Sequence, residues 1–183
     1  MGIYKEKREH TKKILMDSFW EIYEKKSIDE ITVKEITDKA GYNRATFYIH
    51  FKDVNDILQC IEDQLFETFD NIFKQIDIEN CSHEVLLKMA FDMFALNSKY
   101  YSVLLSFKGD PYFVAKSKEK LKKLFYSFNK KNSTLTEENT DFIMEYIISG
   151  LISSVLYWFD AKPCSEEDFF NNLYKLIIVC TQI

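Results

Sequence analysis

Four consecutive residues, Asn43, Arg44, Ala45 and Thr46, have side chains suited to contacts with the edges of DNA bases. Arginine can donate two hydrogen bonds to guanine, asparagine can bond adenine, and alanine or threonine can touch the methyl group of thymine. Such residues read DNA sequence when they lie on the first turn of a helix in the major groove. The chemistry predicted for this segment is therefore recognition of DNA.

Residues on either side of this segment suit phosphate groups, whose contacts position a protein on DNA without reading its sequence. Tyr48 and His50 follow the segment, and Thr32 and Lys34 precede it. The N-terminal arm adds basic residues: Lys5, Lys7, Arg8, Lys12 and Lys13. Other interpretations stay open, because such lysines are often only a solvated face, His50 can be a structural hydrogen-bonding residue, and Tyr48 can be a half-buried aromatic.

Two short helices are predicted to position these side chains. Thr32 and Glu35 have the T-x-x-E spacing of a capping box, which begins a helix. Gly41 comes where that helix must end, and glycine tolerates the left-handed conformation of such exits. Asn43 is a suitable cap for the second helix. This pattern of a capped helix, a glycine turn and a second helix also occurs in many all-α proteins that do not bind DNA. The shape alone therefore does not establish the function.

The segment I-T-V-K-E-I-T-D-K-A-G-Y-N-R-A-T-F-Y-I-H-F and the helix after it resemble the N-terminal domain of the TetR family of transcriptional regulators. The resemblance covers about residues 10–60. It implies that Tyr48 and His50 contact the DNA backbone and that Lys34 and residues 43–46 read bases. The chain departs from the family at Val54, where a lysine is usual, which implies that a phosphate contact is lost or moved to Lys52.

The whole chain is predicted to be all-α, with about nine helices. It has 183 residues and only 4 Gly and 2 Pro, which favours long helices. Further helices are predicted over 5–26, 53–75, 82–97, 99–107, 112–130, from Thr136 to 159, and from 165 onward, with an ambiguous β-prone run at 176–179. We expect a DNA-binding domain over 1–52 and a helical effector-binding and dimerisation domain over 53–183.

Charge and cysteine content narrow the class of protein. The net charge is −5, but residues 1–52 carry 11 Lys and Arg against 9 Asp and Glu, whereas 53–183 carry 13 against 20. The four cysteines form no C-x-x-C pair and no Cys/His cluster has metal spacing, which predicts reduced thiols and no metal site. No cofactor is expected. No signal peptide or membrane span is expected, so the predicted location is the cytoplasm. No catalytic motif suggests an enzyme.

The last two predicted helices are apolar over broad faces, which favours burial within the monomer or against a second copy. The residues predicted for a dimer interface are Ile143, Ile147, Gly150, Leu151, Ser154, Val155, Phe169, Leu173, Leu176 and Ile177. The family resemblance favours the homodimer. A two-fold dimer predicts a roughly palindromic operator in double-stranded DNA.

Aromatic residues in the second half of the chain are candidates for an effector pocket, although aromatics at helical spacing are usually core. They are Phe91, Phe94, Tyr101, Phe107, Phe113, Phe125, Tyr126, Tyr157 and Trp158. An effector bound there would be mostly apolar or aromatic. The expected function is a homodimeric repressor of nearby genes, released by this effector. The alternatives are a coactivator of the same fold that binds a protein partner, and a helical protein-interaction module without DNA binding.

Overall fold

The computed structural model describes residues 2–76, 81–106, 109–129 and 137–181. Within these ranges the chain contains nine α-helices, one 3-10 turn at Ile28–Glu30 and no strand, which confirms the predicted all-α class. The helices are α1 (Gly2–Tyr23), α2 (Val33–Ala40), α3 (Arg44–His50), α4 (Val54–Lys74), α5 (His83–Leu96), α6 (Ser98–Leu104), α7 (Pro111–Asn129), α8 (Glu137–Ala161) and α9 (Glu166–Thr181).

The helix boundaries follow the predicted ones to within about three residues, and α6 ends at Leu104 rather than near residue 107. The first helix ends at Tyr23 rather than near residue 26, and the β-prone run at 176–179 lies inside α9. The predicted cap at Thr136 lies outside the described residues. The chain divides into two compact units, Met1–Asn71 and Ile72–Ile183. The functional division expected after Lys52 stays a prediction.

The first unit is built around apolar residues of α1, α2, α3 and α4. Leu15, Phe19, Ile36, Phe47 and Ile57 are completely buried. Phe47 and Phe51, four residues apart, have ring centroids 5.5 Å apart in this core. A salt bridge of 2.7 Å between Lys39 and Glu21 also joins α2 to α1. Burial of aromatic rings at this spacing fixes which side of α3 faces inward.

The second unit has its own apolar core, formed where α8 packs on α7 and α9 and where α5 packs on α9. Its buried residues are Leu87, Phe91, Met144, Ile147, Ile148, Val155, Trp158, Phe169, Leu173 and Ile177. The indole Nε1 of Trp158 donates to the carbonyl of Cys164 at 3.2 Å, which ties the end of α8 to the loop before α9. Burying the indole N–H without a hydrogen-bond partner would cost free energy, and this bond avoids that cost.

Charged residues join α7 to α8 at the surface of the second unit. Lys118 and Lys122 lie 2.6 and 3.0 Å from the two carboxylate oxygens of Glu145. Lys118 also donates to the hydroxyl of Ser149 at 2.9 Å. Hydrogen bonds from the two lysines lower the pKa of Glu145 to about 2. The carboxylate therefore remains ionised at any physiological pH.

One stretch of α8, residues 141–161, is long and apolar enough to cross a membrane by length and composition alone, and 28% of it is buried inside the chain. A single helix of this kind is weak support for a membrane span, because helices buried between protein surfaces pass the same test. The low burial has a second implication: much apolar surface of α8 lies uncovered in the single chain.

Candidate nucleic-acid interface

The turn between α2 and α3 is fixed by backbone geometry. Gly41 has φ 73° and ψ 26°, in the left-handed region predicted for it. The amide of Tyr42 donates to the carbonyl of Thr37 at 3.0 Å, which is the long bond of a Schellman turn. At the other end of α2 the amide of Glu35 donates to the hydroxyl of Thr32 at 3.2 Å, and the amide of Thr32 donates to the Glu35 carboxylate at 3.0 Å. The predicted capping box is confirmed.

Asn43 begins α3 as its N-cap, as predicted. Its carboxamide Oδ1 accepts a hydrogen bond from the amide of Thr46 at 2.8 Å and another from the Thr46 hydroxyl at 3.1 Å. A bidentate contact with adenine uses both the oxygen and the nitrogen of the amide, so it would compete with this cap. The structure thus gives Asn43 and Thr46 a local role at the start of the helix.

The remaining residues of α3 divide into an inward and an outward set. Phe47 is completely buried, while Arg44, Ala45 and Tyr48 are exposed, with Tyr48 60% accessible. Ile49 is 64% accessible, although it is apolar. Ile49 is not among the residues expected from the sequence to contact DNA. Its position four residues after Ala45 was the available signal, because residues at this spacing share a helix face.

The residues expected to meet phosphates lie at several places in the first unit. Lys34 and Lys52 are exposed. The Thr32 hydroxyl donates to Glu35 Oε2 at 3.0 Å, so it is engaged in the capping box. The amide of Lys52 donates to the Asp56 carboxylate at 2.8 Å. Val54, where the family resemblance leads us to expect a lysine, begins α4 and is half-buried.

His50 has an altered acidity. Partial burial lowers the pKa of its imidazole, and the positive charges of Arg8 and Lys12 lower it further, while Glu9 opposes them. His50 is therefore neutral at physiological pH in the free protein. Lys5, Lys7, Arg8 and Lys13 are exposed on α1, and Lys12 lies 5.8 Å above the ring of Phe51. Basic residues of α1 therefore lie close enough to His50 for their charges to act on its imidazole.

Most aromatic residues predicted for the effector pocket pack on one another. Phe94 stacks on Tyr101 at 4.8 Å, Tyr101 lies 6.0 Å from Phe113, and Phe91 lies 5.7 Å from Trp158. Burial raises the pKa of Tyr101 to about 12. Phe125 and Tyr126 are partly buried against the same core. Phe107 lies outside the described residues.

A cleft of about 630 Å³ lies between α6 and α8 in the second unit. Of the predicted pocket residues that the structure describes, Tyr157 alone lines it. The lining carries both polar and apolar groups: Ser98, Lys99, Ser102, Ser106, Leu156, Tyr157, Phe159 and Asp160. Its size suits a small molecule, and its hydroxyl groups were not anticipated from the sequence.

The residues predicted for a dimer interface also separate into two groups. Ile147, Val155, Phe169, Leu173 and Ile177 are buried within the single chain. Gly150 and Leu176 are exposed, and Ile143, Leu151 and Ser154 are intermediate. The α8 surface carries other uncovered residues at helical spacing. This set, called the α8 stripe below, consists of Phe142, Tyr146, Gly150, Ser153 and Tyr157.

Comparison with known sequences assigns both units to recognised families. Residues 15–59 match the family described as bacterial regulatory proteins, tetR family. Residues 80–178 match a TetR C-terminal family described as transcriptional regulator C-terminal region. The chain is also 24% identical over 91 residues to the HTH-type transcriptional regulator TtgR of Pseudomonas putida. That match spans 46% of this chain and 43% of the relative's length.

Solved structures share the fold over nearly the whole chain. A TetR transcriptional regulator from Streptococcus agalactiae 2603V aligns with a TM-score of 0.70 and 21% identity, covering 96% of this chain and 97% of the other. A regulator of the TetR/AcrR type from Aquifex aeolicus VF5 aligns with a TM-score of 0.70 and 20% identity, covering 92% and 98%. These likenesses show the two-part helical fold.

Proposed function

Because the chain belongs to the TetR family of DNA-binding transcriptional regulators, and is therefore not an enzyme, we propose that it is a cytoplasmic, homodimeric repressor. It binds a roughly palindromic operator near the genes it controls and leaves that operator when a small molecule binds. The observation that carries this proposal is the division of α3. Phe47 anchors one side of the helix in the core, and Arg44, Ala45 and Tyr48 are exposed on the rest of its surface.

The DNA contacts follow from these exposures. Arg44 lies on the first turn of α3, where its guanidinium can donate two hydrogen bonds to a guanine. Tyr48 lies one turn later, with its hydroxyl available for a phosphate. Lys34, Lys52 and the basic residues of α1 supply the positive charge that phosphate binding requires. These contacts support binding that weakens as the salt concentration rises.

Binding to DNA from the chain's own upstream region tests this proposal by fluorescence anisotropy over a range of salt concentrations. We expect Arg44→Ala to lose about 1–3 kcal/mol and to discriminate less at one base pair. Tyr48→Phe removes only the hydroxyl, so it should weaken binding to all sequences alike. Ala115→Glu, on the exposed surface of α7, serves as the control that retains wild-type binding. Salt-independent or absent binding by the wild-type protein would overturn the proposal.

The α8 stripe supports the dimer. Phe142 and Tyr146 are 76% and 71% accessible, which is unusual for large rings unless a second surface covers them. Gly150 lies about one turn after Tyr146 along the stripe, and a Cβ atom built on it meets nothing within 4 Å. A partner helix can therefore approach closely at Gly150. Apolar side chains already buried in the second unit, such as Ile147, would support this face from behind.

Sedimentation of two matched variants tests the dimer. Gly150→Glu introduces a charge where the single chain leaves open space, so the monomer should fold normally while association is lost. Ala115→Glu adds the same charge on α7 and should leave the dimer unchanged. We expect the Gly150→Glu monomer to bind operator DNA at least tenfold more weakly, because it presents one recognition helix instead of two. A dimer that survives Gly150→Glu would contradict the interface.

The cleft between α6 and α8 supports control by a small molecule. Tyr157 and Phe159 offer aromatic surface, and Ser98 and Ser102 offer hydroxyl groups that can orient a ligand. An aromatic compound with one or two polar groups fits this lining better than a hydrocarbon does. The cleft therefore adds polar character to the apolar or aromatic effector expected from the sequence.

Thermal-shift measurement with a panel of small aromatic compounds tests the cleft. A compound that binds should raise the melting temperature and lower the affinity for operator DNA. Ser102→Trp should fill the cleft and abolish both responses, while Ala115→Trp on α7 should retain them. If no compound shifts the melting temperature and a protein partner releases the DNA instead, the effector proposal fails.

A further inference from the structure

The outermost line of α3 is apolar, and it is formed by Ala45 and Ile49. At about 100° per residue, these two side chains point about 160° and about 200° around the helix from Phe47. Phe47 is completely buried, so Ala45 and Ile49 face directly away from the core of the first unit. We call this pair the outer ridge. A surface that approaches α3 from the side opposite Phe47 contacts the outer ridge first.

Ile49 is unusual among the exposed residues of this surface. It is 64% accessible and has no polar atom in its side chain, whereas Arg44 carries a guanidinium and Tyr48 a hydroxyl. Isolated exposed apolar residues are common on proteins and need no explanation by themselves. Ile49 differs because Ala45 extends the apolar line by one turn, and because the line lies opposite the buried side of the helix.

The major groove offers one apolar group at the base edges, the C5-methyl group of thymine. A branched aliphatic side chain cannot hydrogen-bond a base and gains nothing from a phosphate. Its favourable contact in the groove is with this methyl group, since both then lose apolar surface to water. We propose that Ile49 is a specificity-determining residue that selects thymine in each operator half-site by contact with the thymine methyl group. This inference rests on the proposed binding of DNA by α3.

The inference assigns different tasks to neighbouring side chains. Arg44 selects a base by hydrogen bonds, while Ile49 selects one by the presence of a methyl group. Thymine and uracil have the same hydrogen-bonding edge and differ by that methyl alone. Replacing thymidine with deoxyuridine therefore removes the partner of Ile49 and leaves every hydrogen bond to the DNA in place. The same replacement should not change the affinity contributed by a residue that contacts phosphate.

The test uses the full-length protein and its footprinted operator, with each thymidine of a half-site replaced in turn by deoxyuridine. Wild-type protein should lose about threefold to fivefold in affinity at one position, the effect of burying roughly one methyl group. Ile49→Ala should bind the natural operator more weakly and show no further loss at that position. Val85→Ala, an exposed β-branched residue of the second unit, should keep the wild-type pattern.

Each outcome has a definite meaning. Affinity that is indifferent to every deoxyuridine replacement overturns the role of Ile49 while leaving DNA binding by the protein intact. A deoxyuridine penalty that persists unchanged in Ile49→Ala also overturns it, because another residue then contacts the methyl group. Absence of any operator binding by the wild-type protein overturns the proposed function and this inference together. Because Ile49 is exposed, the alanine variant should retain its circular dichroism spectrum.

Discussion

The two units of the chain both have a buried apolar core, but they differ in the apolar side chains that they leave exposed. In the first unit Phe19, Phe47 and Phe51 are buried, and the long side chains left exposed on α3 are Arg44, Tyr48 and Ile49. In the second unit α8 buries Met144 and Ile148 while leaving Phe142 and Tyr146 exposed. The contrast teaches that the first unit exposes a single large aliphatic side chain on α3, Ile49, whereas the second exposes two aromatic rings one turn apart on α8, which a further contact can cover.

Removing one ring from each unit gives the largest expected contrast. Phe47→Ala should destabilise the first unit by about 3–5 kcal/mol, because a buried ring leaves a cavity. Phe142→Ala should change the stability of the monomer by less than about 0.5 kcal/mol, because its ring is exposed. Hydrogen exchange of α3 and α8 peptides, at concentrations where sedimentation shows a monomer, measures both. Equal losses of stability in the two variants would contradict the conclusion that Phe47 is a core residue and Phe142 is not.

Replacing one glycine by alanine in each unit should have opposite effects on stability, because the backbone conformations of the two glycines differ. Gly41→Ala should cost about 1–2 kcal/mol, because φ at this position is 73° and an L-residue is strained there. Gly150→Ala should stabilise monomeric α8 by about 0.5–1 kcal/mol, since the helix has open space around that position. Urea unfolding of the two variants checks the opposite signs. A stabilising Gly41→Ala would show that the turn tolerates another conformation.

Glu145 provides a smaller, pH-dependent effect in the second unit. Its pKa in the folded chain is about 2, below the value near 4.3 of an unfolded glutamate. Its stabilising contribution is therefore complete above about pH 4.3 and disappears as the pH falls towards 2. Because the pairs are partly exposed, Glu145→Gln should lower the melting temperature at pH 7 by fewer than about 4 °C.

Melting curves of wild-type protein and Glu145→Gln between pH 7 and pH 2 measure that difference. Glu119→Gln is the control, since the salt bridge of Glu119 with Lys123 is exposed and lies within α7, whereas the pairs of Glu145 join α8 to α7. A difference between wild type and Glu145→Gln that stays constant down to pH 2 would contradict the role of the lysines.

His50 gives the smallest expected effect, a few-fold change in affinity with pH. A phosphate beside the imidazole would raise its lowered pKa, so DNA binding takes up a proton and strengthens as the pH falls from 8 to 6. The stability of the free protein changes in the opposite direction. Because the pKa of His50 is lower in the folded chain than in the unfolded chain, the unfolded chain binds more protons. The free energy of unfolding therefore falls as the pH drops through about 6.5.

Affinity measured at fixed salt across this pH range, with His50→Gln as comparison, separates the two effects. The glutamine variant keeps a hydrogen-bond donor and should show a flatter profile. A wild-type affinity that is independent of pH would place His50 away from phosphate.

Local signals made the first unit predictable from sequence. Thr32, Gly41 and Asn43 each act through bonds to residues at most a few positions away, so their spacing alone located α2, the turn and α3. The number of helices in the described ranges was predicted for a similar reason, since scarce glycine and proline leave long helical runs between breaks. Ile49 was missed because an apolar residue in a helix is ordinarily assigned to the core.

Long-range packing explains what the sequence could not reveal in the second unit. Tyr146 and Ile147 are adjacent and both apolar, yet one is exposed and the other buried. A helix that is apolar on most sides has too little contrast for its periodicity to distinguish these faces. The cleft depends on Ser102 and Tyr157 meeting across more than fifty residues of sequence, which only the folded chain brings together.

The division of α3 has a consequence for how this protein can evolve. Arg44, Ala45, Tyr48 and Ile49 lie on the outside of the helix, while Phe47 and the Asn43 cap hold it in place. If α3 reads the operator as proposed, mutations at the four outer positions change the preferred DNA sequence with little loss of folding stability. After gene duplication, two copies can diverge in target sequence while their core residues stay the same. The helix separates the part of the protein that selection can vary from the part that it must keep.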